Sequence, residues 1–249
     1  MNKWQKLNLL VFSILVFSSA GLVYMLSNIN FAGPFGKPWH LLPSVHEDSL
    51  SQEYLQQYQI LNKTSLKTKF LDSSRTNLFI LVDAWGVPIQ KSELEKDFFF
   101  FASMQHTFAL HQRLANRTKH AERVEFRDPP KRSIYLFGGD SLEYNRSALV
   151  KEIGFNNTLF CQKCNDSVMI TKIDSLLKND SLQFIAWTTR SSRVGNKEDL
   201  RKSLQQLADF ASEHENVKII MQGSHRPILG SRKTKQKYKS HWVPVVILN

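Results

Sequence analysis

Three residues of different chemistry stand far apart along the chain, each next to an apolar run: Asp83, Thr107 and His225. An acid, a hydroxyl and an imidazole gathered in one place can activate an oxygen nucleophile or hold a divalent cation. Arg190, Arg193 and Arg226 add guanidinium groups, which pair bidentately with phosphate or sulfate oxygens. Cys161 and Cys164 form a CxxC. One such pair cannot complete a four-ligand metal site and no His lies near it, so in an exported domain the plain reading is a small-loop disulfide or two free thiols. His106, His111 and His120 fall on or near one amphipathic stretch and are expected at or near the surface.

The elements that must position these groups read as alternating strands and helices. The run from Asn77 to Asp83, followed by Trp85-Gly86, has the pattern of a parallel strand buried on both faces, with its acid at the carboxyl end. Further strands are expected over 133–137, 182–187, 217–221 and 243–248. The third of the five is followed by Thr188, Thr189 and Arg190, and the fourth by Gly223-Ser224-His225-Arg226-Pro227. Helices are expected over 49–61, 107–117 (Leu110 and Leu114 at i, i+4), 141–153 before Gly154, 166–177 and 197–213. This order predicts an α/β fold with a mostly parallel sheet and helices on both faces. Its strand ends would bring the polar groups to one crevice.

The chain has 249 residues and a formal charge of +11, so its surface attracts anionic partners. Zinc-finger spacing and RNA-binding aromatic signatures are missing, which weighs against nucleic acid. The densest basic run is Arg232-Lys233-Thr234-Lys235-Gln236-Lys237. At the other end, Lys3 and Lys6 precede an uncharged stretch from Leu7 to Leu26, long enough to cross a bilayer as one helix. Basic residues in front of it predict a cytoplasmic N-terminus and an extracytoplasmic (periplasmic) remainder. A cleaved signal peptide ending at Ser18-Ser19-Ala20 is the competing reading, but the apolar run continues past that point. The expected organisation is a cytoplasmic tip and anchor over 1–27, a juxtamembrane stalk over 28–75 and an α/β domain over 76–249.

Several pieces in order give the sequence a family likeness. They are the strand ending at Asp83 with Trp85-Gly86, Thr107 before its expected helix, and Tyr135-Leu136-Phe137-Gly138-Gly139-Asp140. Tyr144-Asn145-Arg146, Gly154-Phe155, Gly223-Ser224-His225-Arg226-Pro227 and the Val243-Pro244 strand follow. Over 77–248 the chain resembles the alkaline phosphatase and sulfatase superfamily, nearest its lipoteichoic acid synthase and phosphoethanolamine transferase branch. The resemblance implies a membrane-anchored phospho- or sulfo-ester hydrolase or transferase acting on an envelope lipid or a phosphorylated or sulfated envelope polymer. It implies Thr107 as nucleophile, a zinc or manganese ion on Asp83, Thr107 and His225, and substrate contacts from Arg146, Arg190 and Arg226. Two departures stand out. Ser224 replaces the acid expected before the His, and no His follows the third strand, so the ligand set is incomplete. The alternative is a catalytically degenerate member serving as a binding or scaffold protein.

Overall fold

The computed structural model describes residues 4, 8, 11–19, 49–61, 64–113, 117–139, 146–178, 183–190, 196–227 and 232–248. Two compact units divide at Glu47 and Asp48. In the first, residues 11–19 form a helix, α1. No helix among the described residues is long and apolar enough to cross a membrane, and half of the stretch from Leu7 to Leu26 lies outside them.

The second unit is built on one eight-stranded sheet in the order β1-β3-β8-β7-β2-β6-β4-β5. Its strands are β1 (Gln59–Leu61), β2 (Asn77–Val82), β3 (His106–Gln112), β4 (Ser133–Gly139), β5 (Asn157–Gln162), β6 (Phe184–Thr188), β7 (Lys218–Gly223) and β8 (Trp242–Leu248). All neighbours run parallel except β8, which is antiparallel to both β7 and β3. β2 and β6 are buried along their whole length, as their unbroken apolar runs require of central strands.

Alternate residues of β2 feed two cores. Leu78, Ile80 and Val82 join the cluster with Leu94 and Phe98 of α4 (Lys91–Phe98), Met169 and Ile173 of α7 (Asp166–Leu177) and Leu200, Leu204 and Leu207 of α8 (Lys197–Ser212). Phe79 and Leu81 join the opposite cluster with Ala121 of α5 (Thr118–Glu125), Leu149 and Val150 of α6 (Arg146–Ile153) and Leu66 of α3 (Leu66–Phe70). Helices therefore cover both faces of a mostly parallel sheet.

Three expectations need correction. The helix expected over 107–117 is β3, whose seven residues pair with β8. Leu110 and Leu114 have helical spacing, but Thr107-Phe108-Ala109-Leu110 fits a pleated surface equally well, and cross-strand pairing decides. The helix expected over 49–61 is shorter: α2 (Gln52–Gln57) ends and β1 joins the sheet beside β3. The stalk expected over 28–75 is shortened accordingly, because the compact unit begins at Asp48 and Tyr54, Leu61 and Leu66 are buried in it. β5 was not expected at all. It is a sheet-edge strand, half to fully exposed, so it carries no continuous apolar signal.

Two buried charges lie under the sheet's carboxyl rim. Arg113 Nε donates to the Gly223 carbonyl at 3.2 Å, and Arg113 Nη2 lies 3.9 Å from Glu125 Oε1. Glu125 Oε2 also accepts from the Leu66 amide at 2.7 Å and the Ser65 hydroxyl at 3.1 Å. Burial pushes Arg113 down to about 10, against the pull of Glu125, and the same burial pushes Glu125 up. Removing one partner strands the other charge. Arg113→Met alone is expected to cost roughly 3–5 kcal/mol in urea unfolding. Arg113→Met with Glu125→Leu should recover part of that loss; a double variant no better than the single would show the pair is not coupled.

Candidate active site

Asp83 follows β2 at its carboxyl end, and Ser224 and His225 follow β7 on the neighbouring strand. The approach of these two turns depends on Gly223. A Cβ there would lie 1.9 Å from the Trp85 carbonyl oxygen, so only glycine lets the Asp83–Gly86 turn close over β7. Ala84, just after the acid, has a left-handed backbone with φ 55°. Trp85 packs in the core and its Nε1 donates to Asp97 at 3.3 Å, a structural role.

The hydroxyl that meets the acid and the imidazole is Thr118, the first residue of α5. Its Oγ1 donates to Asp83 Oδ1 at 2.9 Å and lies 3.0 Å from His225 Nε2. Asp83 Oδ1 and His225 Nε2 are themselves 3.2 Å apart, and Ser224 Oγ donates to the same Oδ1 at 2.8 Å. His225 Nδ1 lies 2.6 Å from the Arg226 carbonyl oxygen, which can only accept, so Nδ1 carries a proton. In the neutral ring Nε2 is then the acceptor facing Thr118. Asp83, Ser224 and His225 are buried, while Thr118 is partly open to solvent.

Burial by itself would push Asp83 up. The His225 ring, when Nε2 also carries a proton, and the Ser224 and Thr118 hydroxyls outweigh it and hold the carboxyl at about 2, below its ordinary 3.8. A carboxyl lowered in the folded state stabilises the fold above its unfolded pKa, and the contribution is lost as pH falls through the folded value. About 2 kcal/mol should therefore disappear between roughly pH 4 and pH 2. Asp83→Asn should flatten that segment of a stability-against-pH curve; an unchanged acid limb would refute the assignment.

Thr107 is not part of this cluster. It sits in β3 opposite Ile247, which is level with Ile220 and so with Phe79. That places it about 13 Å below Asp83 along the strands and about 14 Å across them. Thr107 therefore is not the hydroxyl within reach of Asp83 and His225; Thr118 is. Arg226 lies beside His225, partly buried, with Nη1 toward the Lys235 carbonyl at 3.5 Å. Arg190 is turned to β4, where Nη1 donates to the Gly138 carbonyl at 2.7 Å and its amide donates to Asp166. Arg146 opens α6, and its side chain, like Arg193, Asp140, Tyr144 and Asn145, lies outside the described residues.

Thr188 and Thr189 serve the scaffold. Thr188 donates to Glu122 Oε1 at 2.8 Å, and Thr189 Oγ1 accepts the Asp83 amide at 3.0 Å. Glu122 is fully buried one turn below Thr118 and also accepts from Tyr135 at 2.8 Å, which pins the start of α5 to β4 and β6. Cys161, in β5, and Cys164, just beyond its end, are joined in a disulfide.

The donor set does not fit a tightly held divalent ion. The cluster offers one carboxylate and one imidazole beside two hydroxyls, and Oδ1 of the carboxylate already accepts from both hydroxyls. Among the described residues no three His, Cys, Asp or Glu side chains gather, whereas catalytic zinc sites use three protein ligands.

The mostly parallel sheet with helices on both faces is an alkaline phosphatase-like α/β fold. Solved structures share it. The lipoteichoic acid synthase LtaP of Listeria monocytogenes matches at TM-score 0.51 and 10% identity, over 70% of this chain and 65% of that one. A protein in the alkaline phosphatase superfamily from Vibrio parahaemolyticus matches at TM-score 0.50 and 13% identity, over 70% and 60%. The chain thus spans less than two thirds of either neighbour, and the likeness is one of fold. No protein-family profile matches the sequence, and no curated protein is detectably similar to it.

Proposed function

We propose that the second unit is a phosphoester transferase or hydrolase domain of the cell envelope, with Thr118 as its nucleophile. One observation carries this reading: the Thr118 hydroxyl has a single proton between two acceptors, Asp83 Oδ1 at 2.9 Å and His225 Nε2 at 3.0 Å. A hydroxyl held this way gives up its proton as it attacks. The Thr118 oxygen forms a bond to phosphorus, its proton passes to His225 Nε2, and the bond to the leaving alcohol oxygen breaks. His225 returns the proton to that alcohol. Water or an acceptor alcohol then takes the phosphoryl group from Thr118 by the reverse sequence. Asp83 stabilises the imidazolium formed in between, and the helix N-terminus at Thr118 favours negative charge on the incoming group. Arg226, Arg117 and Lys119 supply cations near the nucleophile.

The substrate we infer is a phosphorylated envelope lipid or polymer, because the LtaP neighbour is named as a lipoteichoic acid synthase. The uncharged N-terminal stretch supports a single-pass anchor with the folded unit outside the cytoplasm, and a disulfide in that unit agrees with an oxidising compartment. The test is covalent trapping: purified protein incubated with glycerophosphodiesters of varied headgroup, quenched in acid, and analysed for phosphate on Thr118. A modified Thr118 establishes the reaction class, and the headgroup that labels it best names the substrate.

A second reading, a fold-retaining binding protein without turnover, is favoured by Ser224, a hydroxyl where an acid would complete the cluster. It predicts no labelling of Thr118 but saturable binding of the same diesters.

A further inference from the structure

The segment Arg232–Lys239 carries Arg232, Lys233, Lys235, Lys237 and Lys239, and from Asn216 to Asn249 the sequence contains no Asp or Glu. After α9 (Arg232–Lys235) the strap runs antiparallel to the turn that leaves Asp83. The Ile89 amide donates to Lys237 O at 2.8 Å, the Lys239 amide to Val87 O at 2.8 Å, and Pro88 bridges Tyr238. Tyr238 is buried and anchors the strap, whereas Lys233 and Lys237 point outward, with no acidic partner among the described residues. The fixed backbone therefore holds Lys233 and Lys237 on the outer side of the strap.

Two further observations say what this row faces. Lys239 Nζ donates to the Ser49 carbonyl at 2.6 Å, so the strap lies where the chain, coming from its apolar N-terminal stretch, enters the folded unit. Exposed aliphatic side chains flank it: Ile89, paired with the strap, and Leu55, beside the Tyr54 that donates to Pro88 O, are each 44% exposed. Lysines set among exposed aliphatics suit a lipid headgroup layer, where charge meets anionic lipid and the apolar tips enter the interface. A soluble polyanion would use the charges and leave Ile89 and Leu55 idle.

We infer that the strap Arg232–Lys239, with Ile89 and Leu55, is a docking surface for an anionic lipid bilayer and holds the domain face-down on the membrane. Because Arg226 and the Asp83 turn are joined to the strap, docking brings the Thr118 cluster to the headgroup layer. The inference stands on charge, exposure and the entry point of the chain, and it does not require Thr118 to be a nucleophile.

Limited trypsin digestion of the full chain tests it. The protein is reconstituted into vesicles of phosphatidylcholine alone and of phosphatidylcholine with about one third phosphatidylglycerol, and cleavage in the strap is followed by mass spectrometry. Each docked lysine contributes about a fivefold preference for the anionic surface, so cleavage should be at least tenfold slower in the anionic vesicles. The protection should vanish at about 0.5 M salt, where charges are screened within about 4 Å. In the Lys233→Gln, Lys237→Gln variant, cleavage at Arg232 and Lys235 should be equally fast in both vesicles. Equal strap cleavage of the unsubstituted protein in the two vesicles overturns the inference. So does protection by soluble polyphosphate over neutral vesicles without protection by phosphatidylglycerol, which would make the strap a polymer track.

Discussion

Thr118→Ala is expected to lower phosphodiester turnover by about a thousandfold or more and to abolish covalent labelling, with the fold intact. The expectation separates chemistry from stability by location. Thr118 opens α5 and is partly exposed, so the substitution removes one hydrogen bond to Asp83 and leaves the core untouched. Its thermodynamic cost should be about 1 kcal/mol, read by chemical denaturation. Thr118→Ser keeps the oxygen in the same reach of Asp83 and His225 and should retain a measurable part of the rate. Thr107→Ala, at the opposite end of the sheet, should leave the rate unchanged. If Thr107→Ala silenced the protein and Thr118→Ala did not, the site would have to be sought at the amino ends of the strands.

The largest structural effect is expected from Gly223→Ala. The added methyl would meet the Trp85 carbonyl oxygen at 1.9 Å and the Val243 side chain at 3.1 Å. A carbonyl in a buried turn cannot swing aside as a flexible side chain can, so either the Asp83–Gly86 turn lifts or β7 shifts. A cost of about 3 kcal/mol or more is expected in urea unfolding. Because that turn carries Asp83, the same variant should lose the acid-sensitive stability attributed above to the buried carboxyl. A stable Gly223→Ala protein with its acid limb unchanged would mean that the turn is held by something other than this contact.

Much of the fold was legible because central parallel strands are buried on both faces. β2, β4, β6, β7 and β8 announce themselves as apolar runs, and the amphipathic stripe of α8 does the same. Asp83 and His225 were legible for a related reason: strand carboxyl ends are where such sheets place their polar groups, and these two meet at 3.2 Å. Thr118 was hidden by the misread β3. Once 107–117 is taken as a helix, Arg113 and the run Asn116-Arg117-Thr118-Lys119-His120 look like a solvated basic face, although Arg113 is buried, as are Glu122 and Glu125 just beyond the run. A signal was there. A hydroxyl after a polar break, with Ala121, Glu122 and Glu125 at helical spacing behind it, marks a new helix start. Local spacing could not show that the charges on that helix face inward, because their partners Tyr135, Thr188 and Ser65-Leu66 come from three other parts of the chain.

The placement of β8 has a kinetic consequence. It lies between β7 and β3, and Thr107 pairs with Ile247 across 140 residues of chain. Until β8 is in place, β3 and β1 have no route into the sheet, so their assembly waits on a pairing of long sequence separation. A partly emerged chain would hold β3 and β1 as an unzipped, adhesive pair beside an unfinished edge. A domain folding in this order would keep that edge open until β8 closed the gap.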